Sequence, residues 1–253
     1  MYNFRVIPIL TIKDDYLIKT INFEEKIYVG DPTNTIKIFN EKFVDEIMIL
    51  DTSKSLTNQD PDIELIKKIC SQCFSPITYG GGIKNIDQCN LIFEAGVEKI
   101  LLNQKLFENF HDIEKLIKNF GSQSVLACIN FIETNNGFGL YDYKKKKMLE
   151  INIFDYIKNL NNFNFGELLF YNVSRDGTKK GLNFDFLKEV RQIVDSPIIY
   201  SGGVSDLNDI IKAKKLGVNA VGASAIFTLH GKFNSVLIDY PKEEEIEKIR
   251  LSN

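Results

Sequence analysis

The sequence predicts a (β/α)8 barrel assembled from two similar halves, and three observations carry that prediction. The segment Tyr79-Gly80-Gly81-Gly82-Ile83-Lys84 returns as Tyr200-Ser201-Gly202-Gly203-Val204-Ser205, an offset of 121 residues. The same offset relates Gly96-Val97 to Gly217-Val218, Asn103 to Ser224, and Asp51-Thr52-Ser53-Lys54 to Asn172-Val173-Ser174-Arg175. Second, strand-like and helix-like runs alternate along the chain, the order that gives a parallel sheet. Third, 253 residues with 44% hydrophobic side chains suit one barrel domain. The halves fall at about residues 1–120 and 121–241, and the charged segment 242–253 reads as a frayed tail.

In order, Arg5 to Leu10 is the first apolar strand, and the polar segment Lys13 to Gly30 reads as a working loop. Asp31-Pro32 places a capping carboxylate before a proline at the first helical position, and Asp60-Pro61 repeats the device before the second helix. Glu46 to Asp51, Pro76 to Tyr79 and Val97 to Asn103 are the second to fourth strands. Ser124 to Asn130 is the fifth. Beyond it Glu133 to Leu149 carries Asn135-Asn136-Gly137 and reads as a hairpin inserted at the C-terminal end of the strand. The lysine run Lys144 to Lys147 on it is either a solvated face or a docking point for an anion or a partner. Glu167 to Tyr171, Pro197 to Tyr200 and Val218 to Ala223 complete the eight.

A net charge of −3 leaves no basic excess for a nucleic-acid backbone or a membrane surface, and no apolar run is long enough to span a bilayer. A cytoplasmic protein without nucleic-acid or membrane partners is the expectation. Cys70, Cys73, Cys89 and Cys128 fall on predicted helices and strands and read as small core residues. The Cys70 and Cys73 spacing lacks a second Cys or His pair, so neither a metal nor a cofactor is expected. Of the two histidines, His111 begins a predicted helix and reads as a surface residue.

Paired glycines at the C-terminal end of a barrel strand let backbone N–H groups approach an anion. Two copies on opposite sides of a barrel predict a ligand with two phosphates. The candidates are Gly81, Gly82, Asn103 and Gln104 in the first half, and Gly177, Gly203, Ser224 and Ala225 in the second.

With these residues in place, the sequence resembles the HisF family, the cyclase subunit of imidazole glycerol phosphate synthase. The resemblance runs from Arg5 to about Phe227 through Arg5-Val6-Ile7-Pro8, Gly30-Asp31-Pro32, Gly80-Gly81-Gly82-Ile83, Phe120-Gly121-Ser122-Gln123 and Arg175-Asp176-Gly177-Thr178. It implies a partner glutaminase whose ammonia travels up the barrel axis to a bisphosphorylated ribotide. The family's two catalytic aspartates match Thr11 and Asn130 here, which cannot exchange a proton near neutral pH as a carboxylate can. A functional lysine of the family matches Lys19. Four charged residues that close the barrel floor in the family match Arg5, Glu46, Lys99 and Glu167. Alternation turns Arg5 the same way as Thr11, and Lys99 the same way as Asn103, whereas Glu46 and Glu167 are out of parity with Asp51 and Asn172.

Keeping the floor residues while losing the aspartates resembles the HisF-like branch that includes the WbuZ proteins. Lys26-Ile27-Tyr28-Val29-Gly30, Phe39-Asn40-Glu41-Lys42, Cys73-Phe74-Ser75-Pro76 and the stretch from His230-Gly231-Lys232 to Tyr240-Pro241 add to that likeness. It implies a heterodimer with a HisH-like glutaminase, a separate sugar amidotransferase, and ammonia supply for amidation in surface-polysaccharide biosynthesis. The alternative is a cyclase subunit of histidine biosynthesis with altered acid and base groups.

Overall fold

A computed structural model describes residues 4–108 and 110–252. The chain runs through β1 (Arg5–Lys13), β2 (Tyr16–Ile21), β3 (Glu25–Gly30), α1 (Pro32–Glu41), β4 (Ile47–Asp51), α2 (Thr52–Thr57) and α3 (Ile63–Cys70). There follow β5 (Ile77–Gly80), α4 (Ile86–Glu94), β6 (Lys99–Leu102), α5 (Phe110–Phe120), β7 (Val125–Thr134), β8 (Gly137–Asp142), β9 (Lys147–Met148) and α6 (Ile153–Leu160). The remainder is β10 (Leu168–Asn172), α7 (Phe184–Arg191), β11 (Ile198–Ser201), α8 (Leu207–Lys215), β12 (Ala220–Ala223), α9 (Ala225–Thr228), β13 (Leu229–His230), β14 (Ser235–Val236) and α10 (Glu243–Leu251).

β1, β4, β5, β6, β7, β10, β11 and β12 pair in parallel, and β12 returns to β1 with Ala220 opposite Arg5, so the eight close into a (β/α)8 barrel. Alternation along these strands divides the apolar residues into two bodies. One set, Val6, Ile47, Ile100, Val125 and Ile198 among them, faces the surrounding helices. The other, with Ile7, Ile9, Met48, Leu101, Leu126, Leu169 and Ile199, fills the axis. Closure also leaves the eight barrel strands without an unpaired edge. Among the described residues no helix is long and apolar enough to cross a membrane.

Three local expectations need correction. The segment after β1 is not an open loop: β2 and β3 form an antiparallel pair that continues from β1, with Thr11 opposite Ile18. Its polar composition reflects a ribbon partly open to solvent, in which Leu17, Lys19 and Thr20 are nevertheless buried. Asp60-Pro61 does not open α3. Asp62 does, its carboxylate accepting from the Leu65 N–H, while Asp60 pairs with Lys84 at 2.8 Å. The charged C-terminal segment is not frayed. It forms α10, which buries Ile246 and Ile249, pairs Arg250 with Asp45 and takes the Lys214 ammonium onto the Arg250 carbonyl at 2.8 Å. Elsewhere the Asp31-Pro32 start of α1 and the hairpin after the fifth barrel strand appear as the sequence indicates.

Candidate functional site

At the N-terminal end of the barrel four charges meet. The Arg5 guanidinium donates to Glu46 at 2.6 Å and to both oxygens of Glu167, and the Lys99 ammonium donates to Glu46 at 2.8 Å and to Glu167 at 3.1 Å. The signs alternate around a closed ring. Thr78 adds a hydroxyl to the second oxygen of Glu46 at 2.6 Å, so that a carboxylate only 1% exposed has all its partners. The parity mismatch has a simple origin. Glu46, Met48 and Leu50 face the axis in turn, whereas Asp51 points outward and caps α2; Glu167, Leu169 and Tyr171 likewise alternate with Asn172.

Burial alone would raise the Glu46 carboxyl, but Lys99 and Arg5 outweigh it and hold its pKa below the usual value. Burial works against the Arg5 charge too, and Glu167 and Glu46 reverse it, raising the guanidinium further. The sign of the pH dependence follows. A depressed carboxylate contributes stability that is fully present above its unfolded pKa and lost as pH falls through the folded value. Thermal unfolding from pH 7 into acid should therefore show wild type losing its advantage over Glu46→Gln below the ordinary glutamate range. Parallel curves for the two proteins would contradict this account.

At the other end a cavity of about 460 Å³ opens between the strand ends. Thr11 and Asn130, each 5% exposed, line it beside Cys128 and Tyr171. Neither supplies an acid or a base. The Asn130 side-chain carbonyl accepts from the Cys128 thiol at 3.4 Å. Burial pushes that thiol up to about 12, which leaves it a poor nucleophile.

Gly81, Gly82 and Asn103 lie along one side of this cavity. Asn103 donates its amide to the Cys128 carbonyl at 2.7 Å. Gln104 opens the 3-10 turn after β6, and its side chain lies outside the described residues. Gly177, Gly203, Ser224 and Ala225 come together in a much smaller space of about 10 Å³, with Lys19, Asp176 and Lys179. Gly203 sits at φ +104, and a Cβ there would meet the Gly181 carbonyl at 2.5 Å, so only glycine lets the two segments approach so closely.

Lys19 does not stand free over the mouth. Its ammonium donates to Asp176 at 2.7 Å with both side chains almost wholly buried, and Thr20 and Tyr171 donate to the same carboxylate at 2.5 and 2.8 Å. The turn between β2 and β3 is thereby drawn over the opening. Asn22 and Phe23 take left-handed backbone conformations, and the Phe23 ring packs on Tyr143 and Tyr171 at 5.4 and 5.2 Å. Asp176 and Phe23 were not singled out from the sequence. Asp176 lay inside the Arg175-Asp176-Gly177-Thr178 motif, whereas nothing near Phe23 marked it. Of the lysine run, Lys144 lines the cavity and Lys145 pairs with Asp142 at 3.6 Å. His111 is on the surface, as expected.

The family model described as histidine biosynthesis protein matches residues 5–234. A Pseudomonas aeruginosa protein, provisionally named imidazole glycerol phosphate synthase subunit hisF2, is 36% identical over 98% of this chain and 99% of its own length. A Leptospira interrogans protein, provisionally named the HisF subunit of that synthase, is 36% identical over 97% and 98%. The imidazole glycerol phosphate synthase subunit HisF of Streptococcus mutans is 31% identical over 90% and 91%. With a barrel closed at one end by four charges and open at the other between two glycine turns, and with relatives of this identity along nearly its whole length, the chain belongs to the HisF family of histidine-biosynthesis barrels.

Proposed function

We propose that this chain is the barrel subunit of a glutamine-dependent complex. A HisH-like glutaminase docks on the face that carries Arg5, Glu46, Lys99 and Glu167, ammonia crosses that ring and rises along the apolar axis, and it reacts at the opposite mouth over a phosphorylated ligand. The observation that carries this reading is the closed ring itself beneath a column of Ile7, Ile9, Met48, Leu101 and Leu169. Four charges, two of them on almost wholly buried carboxylates, are a costly way to plug a barrel that apolar side chains could fill, and a neutral molecule the size of water can pass where ring partners part. The acceptor we favour is a sugar, amidated in surface-polysaccharide biosynthesis by a separate amidotransferase, because Thr11 and Asn130 leave the mouth without the family's proton-transfer groups.

A second reading has the relatives' names behind it: a cyclase subunit of imidazole glycerol phosphate synthase with altered acid and base groups. Those names stand closer to it than to amidation. Neighbouring genes for sugar-modifying enzymes favour the first reading; neighbouring histidine-pathway genes favour the second.

Both readings need a partner on the ring's face, and two aromatic side chains support one there. Phe43 and Phe74 precede β4 and β5 on adjacent loops, where Asn40 accepts from the Phe74 N–H at 3.1 Å and Ser75 donates to the Val44 carbonyl at 2.7 Å. They are 89% and 88% exposed. Exposed aromatics held on a fixed frame are the side chains most often buried at the centre of an interface. Phe43→Ser with Phe74→Ser should weaken binding of a HisH-like glutaminase by about tenfold or more in titration calorimetry without lowering Tm, since neither ring is in the core. Undiminished binding would move the interface elsewhere.

A further inference from the structure

The two anion seats related by the internal repeat are unequal in room and in charge. Around the second, Lys19 is held by Asp176, Arg175 by Glu133, and Lys179 donates to the Leu229 carbonyl and to Asn234. The first opens into the large cavity, and Lys54, Lys84, Lys105 and Lys144 line it. Lys84 pairs with Asp60 at 2.8 Å and Lys105 with Asp112 at 3.0 Å. Among the described residues Lys54 and Lys144 have no ion-pair partner.

The repeat explains why Lys54 is unpaired. It is the counterpart of Arg175, which Glu133 neutralises. Strand pairing sets Thr11 beside Leu50 as Asn130 stands beside Tyr171, so the counterpart of Glu133 is Asp14. That carboxylate is 73% exposed and turned to Lys13 at 3.6 Å, because β1 runs on into its pairing with β2 instead of folding back over the mouth. Lys144 arrives from the other side. Tyr143 packs on Phe23 and, like Thr52, lines the cavity, which carries the turn between β8 and β9 across the opening towards α2.

We propose that this end of the cavity binds a diphosphate group, with Lys54 and Lys144 as its cationic clamp and the turn at Gly81 and Gly82 as its backbone seat. The second seat, at Gly177 and Gly203, fits a single phosphate in its smaller space. Compact ammonium groups suit a group whose negative oxygens are spread over two phosphorus centres, and the cavity has the room the second seat lacks. The proposal rests on the reading of the mouth as a site for a phosphorylated ligand.

Calorimetric titration of the purified chain in magnesium-free buffer tests it, with inorganic phosphate, inorganic pyrophosphate and UDP as probes. Pyrophosphate or UDP should bind at least about tenfold more tightly than phosphate. Lys54→Ala with Lys144→Ala should abolish that preference while leaving phosphate affinity and the circular dichroism spectrum in place, and the paired Arg substitutions should keep it. Tighter UDP than pyrophosphate assigns the diphosphate to a nucleotide ligand; equal affinities assign it to the diphosphate alone. Equal binding of phosphate and pyrophosphate by wild type, or a preference that survives in the double Ala variant, overturns the proposal while leaving a phosphate-binding mouth. If wild type binds none of the three, the phosphorylated-ligand reading falls with it.

Discussion

Given ammonium salt and the bisphosphorylated ribotide, the purified chain is expected to form imidazole glycerol phosphate at a rate at least on the order of 10²- to 10⁴-fold below an ordinary HisF. Thr11 and Asn130 stand on the cavity wall, each 5% exposed, at the positions that the family resemblance matches to catalytic aspartates. A hydroxyl and an amide can orient a substrate, but neither gives up or takes a proton at neutral pH, and proton transfer of this kind supplies a factor of about that size. The two losses will not simply multiply, since groups acting on one transition state are not additive. Thr11→Asp combined with Asn130→Asp should raise whatever activity is present, since it returns two proton-transferring groups to the cavity wall. Turnover within about tenfold of an ordinary HisF would remove the main argument for amidation and return the cyclase reading to first place.

The second large effect is expected at the opposite end of the barrel. Lys99→Ala removes the ammonium that joins Glu46 at 2.8 Å to Glu167 at 3.1 Å, leaving two carboxylates with Arg5 alone between them and a gap where the side chain stood. In the reconstituted complex of this chain, a HisH-like glutaminase and the amidotransferase, product from glutamine should fall severalfold or more. Product from added ammonium salt should hardly change, because external ammonia enters at the open mouth. The barrel should fold, since one partner lost from a ring that is partly hydrated costs on the order of a few kcal/mol. Equal losses from both nitrogen sources would indicate a folding or docking defect. No loss from either would leave the ring a purely structural plug.

Much of the barrel was legible because its signals are local or periodic. The 121-residue repeat aligned the glycine turns, and apolar runs located all eight barrel strands to within two residues at their starts. β1 and β7 run past their expected ends because each is extended by a partner ribbon, an event set by pairing and invisible in the strand's own sequence. The ring was readable through Arg5 and Lys99, whose parity agrees with the mouth. Glu46 and Glu167 were named by the family resemblance alone, because the residues chosen as parity references, Asp51 and Asn172, belong to the outward set. The buried contact of Lys19 with Asp176 joins residues 157 positions apart, and no spacing rule anticipates it. A terminal run of acidic and basic residues reads as solvated, yet Ile246 and Ile249 recur at helical spacing within it and bury one face of α10.

That last helix has a bearing on how the protein is made. The Tyr240 hydroxyl donates to the Val6 carbonyl at 2.8 Å, and Asp45 accepts from the Val6 N–H at 3.0 Å while also binding Arg250. The first strand is thus fastened by residues synthesised more than 230 positions later, alongside its pairing with β12. A chain growing from its N-terminus must hold β1 without its β12 partner until residue 220 and beyond have emerged, and contacts of such separation are slow to form. During that interval an open strand flank is a template for pairing with other chains. β2, paired with β1 from Thr11 to Lys13, already covers part of that flank, and α10 adds its fastening through Arg250 and Asp45.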